Sequence, residues 1–291
     1  MALIRSLVSR LFDIFNYILL GTISLTAVLP FVYVIVASFT PPEILAKNQF
    51  ILIPKEISFE AYEYIFSTST ITRALLVSIS ITIIGTFFNI IMTVLMAYPL
   101  AYKPLKGRKI LLFMITFTMM FSGGIIPSYM VIQKLGLMNS YAALILPSSI
   151  SAFNLIIFKN FFQGLPNELS ESAKIDGCND LFILFRIILP ISLPLIATFV
   201  IMYGVAHWNS WFGAVLYMND SKKWPIQVVL RQIITSASGI GDSESTEMGI
   251  IVPPQSVRMC TITIATVPIL CIYPFLQKYF TKGLMIGSVK G

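Results

Sequence analysis

An all-α, polytopic membrane protein with six transmembrane helices and both termini in the cytoplasm is the fold class the sequence predicts. Three observations carry that expectation. Hydrophobic residues make up 56% of the 291 and charged residues only 11%, against about 25% charged in an average soluble domain. The apolar residues come in long, nearly uncharged blocks, each near the roughly 20 residues that a helix needs to cross a bilayer. Lysines and arginines gather at the block edges, most densely as Lys103, Lys106, Arg108 and Lys109 in one very short loop. That cluster puts its loop in the cytoplasm and fixes the orientation of the rest.

Taken in order, Arg5 and Arg10 precede an apolar segment at about 14–39. It is longer than the 7–15 apolar residues of a cleaved leader, so it reads as an uncleaved first span. The polar loop 40–73 interleaves Phe59, Tyr62 and Phe66 with charges, which predicts a short helix at the outer interface. A second span covers about 74–102 without a charge. Ser78, Thr82, Thr86, Asn89 and Thr93 form a stripe along it at three- or four-residue spacing. Hydroxyl and amide groups need partners, so this face meets protein or water, and helix packing and pathway lining both remain open.

The third span, about 110–132, meets Gly123-Gly124 and Pro127, which predict a break or kink. A fourth, about 141–158, contains Pro147. A polar connector, 159–186, then leads to a fifth span at about 187–218, entered through Pro190 and Pro194. An outer loop, 220–258, with the polar middle SASGIGDSESTEMG, separates it from a sixth span at about 259–277. Cytoplasmic segments carry the larger share of the lysines and arginines, including Lys278, Lys282 and Lys290 in the tail. The formal net charge of +7 follows from that topology and needs no nucleic-acid partner.

Several chemistries are excluded. Cys178, Cys260 and Cys271 have no paired metal-ligand spacing, and His207 is the single histidine, so no His-rich metal site exists. There is no Walker A pattern, nucleophile elbow or dinucleotide fingerprint. Any ATP is therefore hydrolysed by another polypeptide. Gly239-Ile240-Gly241-Asp242 has no preceding strand and no ligand spacing after it, which removes nucleotide and calcium readings.

The connector is the most informative stretch. Pro166 can open a helix, Asn167 offers a short polar side chain near its start, and Glu168 and Glu171 suit the positive helix end. Leu165, Leu169 and Ala173 share one face. Gly177 can end the helix in the left-handed conformation, and Asn179 or Asp180 can cap a second helix. Glu171-Ser172-Ala173, Gly177 and Ile187-Ile188-Leu189-Pro190 closely resemble the EAA loop of bacterial binding-protein-dependent ABC importer permeases. Ser172 is the one departure from that pattern, and it is small enough for close helix contact.

That resemblance covers nearly the whole chain. It implies a MetI-like type I importer permease fold in the bacterial cytoplasmic membrane, with no catalytic site on this chain. It implies an ATPase-coupling helix built from Glu168, Leu169, Glu171, Ser172, Ala173, Asp176 and Gly177. The implied partners are a second permease subunit, in a heterodimer, two ATPase subunits that bind ATP and Mg, and an extracytoplasmic solute-binding protein. No cofactor belongs to this chain. The finer resemblance is to carbohydrate permeases of the LplC/YtcP and alginate-importer type, and is carried by GGIIPSYMVIQKLGLMNSYAALILP at 123–147 together with the EAA-like loop. It implies an oligosaccharide cargo, and it makes the 220–258 loop a candidate for probing the binding protein, with a plain connector as the other reading.

Cargo contacts are sought where polar and aromatic groups fall inside a span. On a continuous helix Tyr203, His207 and Trp211 share one face, and the Trp208-Asn209 pair resembles a feature of carbohydrate permeases. Flat rings pack on sugar faces, and imidazole and amide groups bond sugar hydroxyls, so Tyr203, His207, Asn209, Trp211 and Asn89 are the candidate pathway residues. A buried histidine bonded to a neighbouring helix is the competing reading. A proton relay is weaker because no intramembrane carboxylate is present as its partner. Beside the oligosaccharide importer stand a permease for a non-sugar solute and, from another class, a six-span channel or carrier working without ATPases. The EAA-like loop weighs against the latter.

Overall fold

In the computed structural model, residues 2–47, 50–54, 56–67, 69–237 and 255–288 are described. The stretch 238–254, with Gly239–Asp242 of the outer loop, and the terminal Lys290 lie outside them. Regular structure among the described residues is helical throughout. The helices are α1 (Ala2–Ser38), α2 (Pro42–Lys47), α3 (Glu60–Ser67), α4 (Ser69–Ala101), α5 (Arg108–Met120), α6 (Ile125–Lys134), α7 (Ala142–Ile145), α8 (Ala152–Gln163) and α9 (Glu168–Ile175). They continue as α10 (Asp180–Ile183), α11 (Leu189–Ile191), α12 (Leu193–Trp208), α13 (Phe212–Tyr217), α14 (Ile226–Ala237) and α15 (Gln255–Ser288).

Three stretches, Phe12–Ser38, Ser69–Ala101 and Gln255–Ile272, are long and apolar enough to cross a membrane, and three bent pairs raise the total to at most six. Each bend has a chemical cause. Between α5 and α6 the axis turns by 119° through Gly124, whose φ of 83° and ψ of 178° suit only glycine. Pro127 then falls in the first turn of α6, where amide hydrogens have no intrahelical partner to lose. The predicted break is present, but a turn of 119° makes 110–132 two helices rather than one kinked rod. Ala142–Ser148 and Ala152–Gln163 meet at 52° beside Pro147, and Ser151 caps α8 by accepting from the Asn154 amide.

The third bend, 85° between Asp180–Ile191 and Leu193–Trp208, falls at Ser192, between Pro190 and Pro194. Pro190 has no amide hydrogen for the Arg186 carbonyl and Pro194 none for the Pro190 carbonyl, and each ring crowds the carbonyl four residues before it. The helix widens into a π turn over Leu184–Ile188 just before Pro190, the local answer to such a disruption. The Ser192 hydroxyl donates to the Ile188 carbonyl at 2.7 Å. The expected fifth span is therefore composite: it begins at Asp180, bends at Ser192, ends at Trp208 and is followed by the separate α13.

The chain divides into two compact units. In one (1–69 and 230–266), an aromatic knot closes the end of α1. Phe39 stacks on Tyr62 with centroids 4.8 Å apart and meets Phe59 edge-on. Ser38 Oγ lies 2.9 Å from the Tyr62 hydroxyl, and burial raises that phenol's pKa, opposed by the Ser38 bond. These contacts give Phe59 and Tyr62 of the 40–73 loop a packing role, while Phe66 is exposed.

The other unit (70–229 and 267–291) is built on α4, whose 33 residues span about 50 Å at 1.5 Å per residue. The helix starts at Ser69 rather than near 74, because a helix need not stop where the hydrocarbon does. Near one end, Val77 and Ile81 pack with Ile132, Leu144, Ala214 and Tyr217. Near the other, Val94, Ala97 and Leu100 pack with Leu155, Phe158, Phe162, Ile183 and Phe199. Ala173 of α9 belongs to this second cluster. Helix α8 runs to Gln163, past the start of the polar connector at 159.

Candidate functional site

Helix α9 is short and polar, and its placement depends on its two ends. Asn167 takes the N-cap position in helical conformation without a side-chain cap. The start is held instead by its carbonyl, which accepts from the Ser170 and Glu171 amides at 2.9 and 3.0 Å. Pro166 stands outside the helix. At the other end Gly177 has φ 80°, with its amide donating to the Lys174 carbonyl at 3.0 Å and the Cys178 amide to Ala173 at 2.9 Å. This bond pair is the Schellman closure, which requires a left-handed residue at that point. Nothing lies within 4 Å of a Cβ added at Gly177, so backbone conformation and not space demands glycine there. Asn179 Oδ1 then accepts from the Phe182 amide at 2.7 Å and opens α10.

The result is a helix with one face anchored and the rest displayed. Ala173 is buried, while Glu168, Glu171, Ser172, Asp176 and Gly177 are exposed and Leu169 is half-buried. The Ser172 hydroxyl donates back to the Glu168 carbonyl at 2.8 Å, so Ala173, not Ser172, makes the close contact with the spans. Ile175 is 86% exposed, a bare aliphatic side chain on an otherwise polar helix. Sequence reasoning passed over it because its position matches no motif; exposure is the signal that finds it.

The candidate pathway residues fall into two groups. Tyr203 and His207 lie on α12 against the polar stripe of α4, both buried. The Tyr203 hydroxyl is 2.8 Å from Thr93 Oγ1. Asn89 Nδ2 donates to the Ser148 carbonyl at 2.9 Å. The His207 ring is seated on Gly85, where a Cβ would stand 2.6 Å from Nε2. The Gly85 main chain is the polar neighbour of that ring, yet Nε2 reaches no hydrogen-bond geometry. The hydroxyls of Thr82 and Thr86 and Oδ1 of Asn89 are likewise buried without a partner. This seam thus pairs some of its polar groups within the protein and leaves four atoms unmet, at roughly 1–3 kcal/mol each while they stay so.

Trp211 and Asn209 are elsewhere. Helix α12 stops at Trp208 and the chain turns through Asn209 at φ −86° and ψ 0°, so Trp211 does not share the Tyr203–His207 face. It lies at the start of α13, edge-on to Phe212 with centroids 5.5 Å apart. Asn209 is exposed. No cluster of His, Cys, Asp or Glu among the described residues could hold a metal ion.

The family model described as "Binding-protein-dependent transport system inner membrane component" matches residues 1–286. The polygalacturonan/rhamnogalacturonan transport system permease protein YtcP of Bacillus subtilis (strain 168) is 53% identical over 284 residues, 97% of this chain and 99% of that one. Protein LplC of the same organism is 50% identical, over 97% of this chain and 96% of its own. Among solved structures, a bacterial ABC transporter involved in the import of the acidic polysaccharide alginate aligns with a TM-score of 0.84. It has 29% identity and covers 93% of this chain and 97% of that chain.

Proposed function

Because the chain belongs to the family of binding-protein-dependent transport inner-membrane components, an ABC-importer permease family, we propose that it forms half of the pathway for an acidic oligosaccharide. In this reading α9 is the element that an ATPase subunit grips. The carrying observation is its display of Glu168, Glu171 and Ile175 from a base fixed by Ala173 and the Gly177 turn. An apolar anchor ringed by charge suits insertion into a cleft of another protein. ATP and Mg belong to that partner. A second, different permease subunit completes the pathway, and a solute-binding protein delivers the cargo from the side of the 220–258 loop.

Acidic cargo is supported by two names and by charge. The similar permease is named for pectin-type polymers and the structural neighbour for alginate. The chain's net charge is +7, and no Asp or Glu lies within 69–101, 142–163 or 193–208, so these three helical stretches present no fixed negative charge to an anion. Asn89 and His207 are proposed to act on the pathway through the α4–α12 seam, which the Tyr203–Thr93 bond fastens, with Trp211 and Asn209 at the mouth of α12. Uptake by proteoliposomes carrying the complete complex and its binding protein tests the cargo. Trigalacturonate is expected to enter in an ATP-dependent manner and maltotriose is not. Transport of maltotriose alone overturns the acidic reading.

A further inference from the structure

Lys174 stands in the last turn of α9 and reaches two other pieces of chain. Its Nζ lies 2.9 Å from Asp180 Oδ1, and Asp180 is the first residue of α10. The same ammonium is 5.5 Å from the centroid of the Tyr102 ring, one residue past the end of α4. One side chain therefore ties α9 both to the entrance of the bent pair that ends at Trp208 and to the end of the long helix α4. The Asp180 hydrogen bond, chief among the causes, raises the Lys174 pKa.

The magnitude of such a pair decides what it is for. Lys174 and Asp180 side chains are 48% and 67% exposed, and an ion pair that open to water adds little to stability. The chain reversal itself is already made by backbone bonds around Gly177. Those bonds lie within the reversal itself, and a cation held between a carboxylate and a ring face adds a side-chain link from α9 to the ends of α4 and α10.

We propose that Lys174 is a positioning residue, its ammonium shared between Asp180 and Tyr102 so that movement of α9 is passed to α4 and α10 together. The proposal rests on the reading of α9 as the ATPase-docking helix and adds to it the route by which force leaves that helix. Ala173 supplies the apolar contact of the same junction, and Lys174 supplies its direction.

The test uses the complete complex in proteoliposomes with Lys174→Glu, Asp180→Lys, both changes together, or Lys174→Arg. Trigalacturonate taken up per ATP hydrolysed is measured beside the thermal midpoint of each complex. Either single reversal is expected to lower that ratio about threefold to tenfold, within the range of mutations on a coupling route, at an unchanged midpoint. The double reversal remakes the ion pair but not the ammonium on the Tyr102 ring, so it restores only part of the loss, and Lys174→Arg, which keeps both contacts, stays near wild type. Normal coupling in both single reversals, or a double reversal no better than the singles, overturns the proposal. Gly177→Val in the same preparation separates the two readings. If it uncouples while the reversals do not, the clamp fails and docking stands; if it couples normally, docking falls and the clamp with it.

Discussion

At the scale of single residues, the decisive contacts are those where one atom more or less changes what a helix can do. Gly85 is such a place: an added methyl would meet the His207 ring at 2.6 Å, and that ring is 7% exposed with little room to retreat. Gly85→Ala is expected to destabilise the complex by about 1–3 kcal/mol, the usual cost of overpacking. Adding His207→Ala recovers part of that loss, since the two changes share one contact; thermal denaturation of the purified complex reads both. Strict additivity would mean that the ring does not sit where the structure has it. Tyr203 and His207 differ in a way their spacing did not reveal. Tyr203 has a protein partner in Thr93, whereas His207 Nε2 has none. Tyr203→Phe should therefore lower stability by roughly 0.5–1.5 kcal/mol, the net worth of one hydrogen bond, and leave uptake per assembled complex unchanged. A fall in uptake without a fall in stability would reassign Tyr203 from packing to pathway.

At the scale of elements, composition and spacing disclosed which segments are helices, and local chemistry disclosed one of the three breaks. Gly123-Gly124 with Pro127 was legible as an interruption, because glycine conformation and the missing proline amide act within a turn or two of chain; Pro147 and Pro190 were seen as prolines inside spans, and no bend was read from them. The size of each bend was not legible. Whether a broken helix continues at 52° or turns back at 119° depends on what it packs against, which no window of sequence contains. The same limit explains Trp211. Residues 203, 207 and 211 share a face only if the helix continues, and Asn209 ends it with no proline or glycine to announce the stop. Within the connector nearly everything was readable, since caps are local: Gly177 and Asn179 do what their types suggest. The exceptions, Asn167 without a side-chain cap and Ser172 turned back on Glu168, are cases where a backbone bond took the role offered to a side chain. Ile175 was missed for the opposite reason, since only the folded chain shows that nothing covers it. If it is an anchor, Ile175→Asp should weaken ATPase binding by about 2 kcal/mol or more, seen as loss of the ATPase during purification. Retention at wild-type affinity would remove Ile175 from the interface.

At the scale of the whole molecule, six candidate spans and a displayed α9 make sense only as part of a larger assembly. Phe12–Ser38 is 27 residues of high hydropathy with none of its window buried by the rest of the chain, a surface for lipid or another subunit. The distribution of basic residues predicts the orientation, with Lys106 inside and Lys222 outside. Lys106→Cys and Lys222→Cys in a cysteine-free background are expected to react with a membrane-impermeant thiol reagent only after lysis and before lysis, respectively. Reaction of both in intact cells would refute the arrangement with both ends in the cytoplasm. The central claim is that α9, set by its left-handed terminus, passes ATPase closure into the spans. A pair of substitutions at Gly177 tests it most directly, because the site has room for a side chain and differs only in the backbone it imposes. Asparagine tolerates the left-handed conformation, and a β-branched residue resists it by about 1–2 kcal/mol. The measurement is ATP hydrolysis by the reconstituted complex in response to its loaded binding protein. Gly177→Asn is predicted to keep most of that stimulation and Gly177→Val to lose it at equal assembly; a Gly177→Val complex stimulated like wild type would contradict the account.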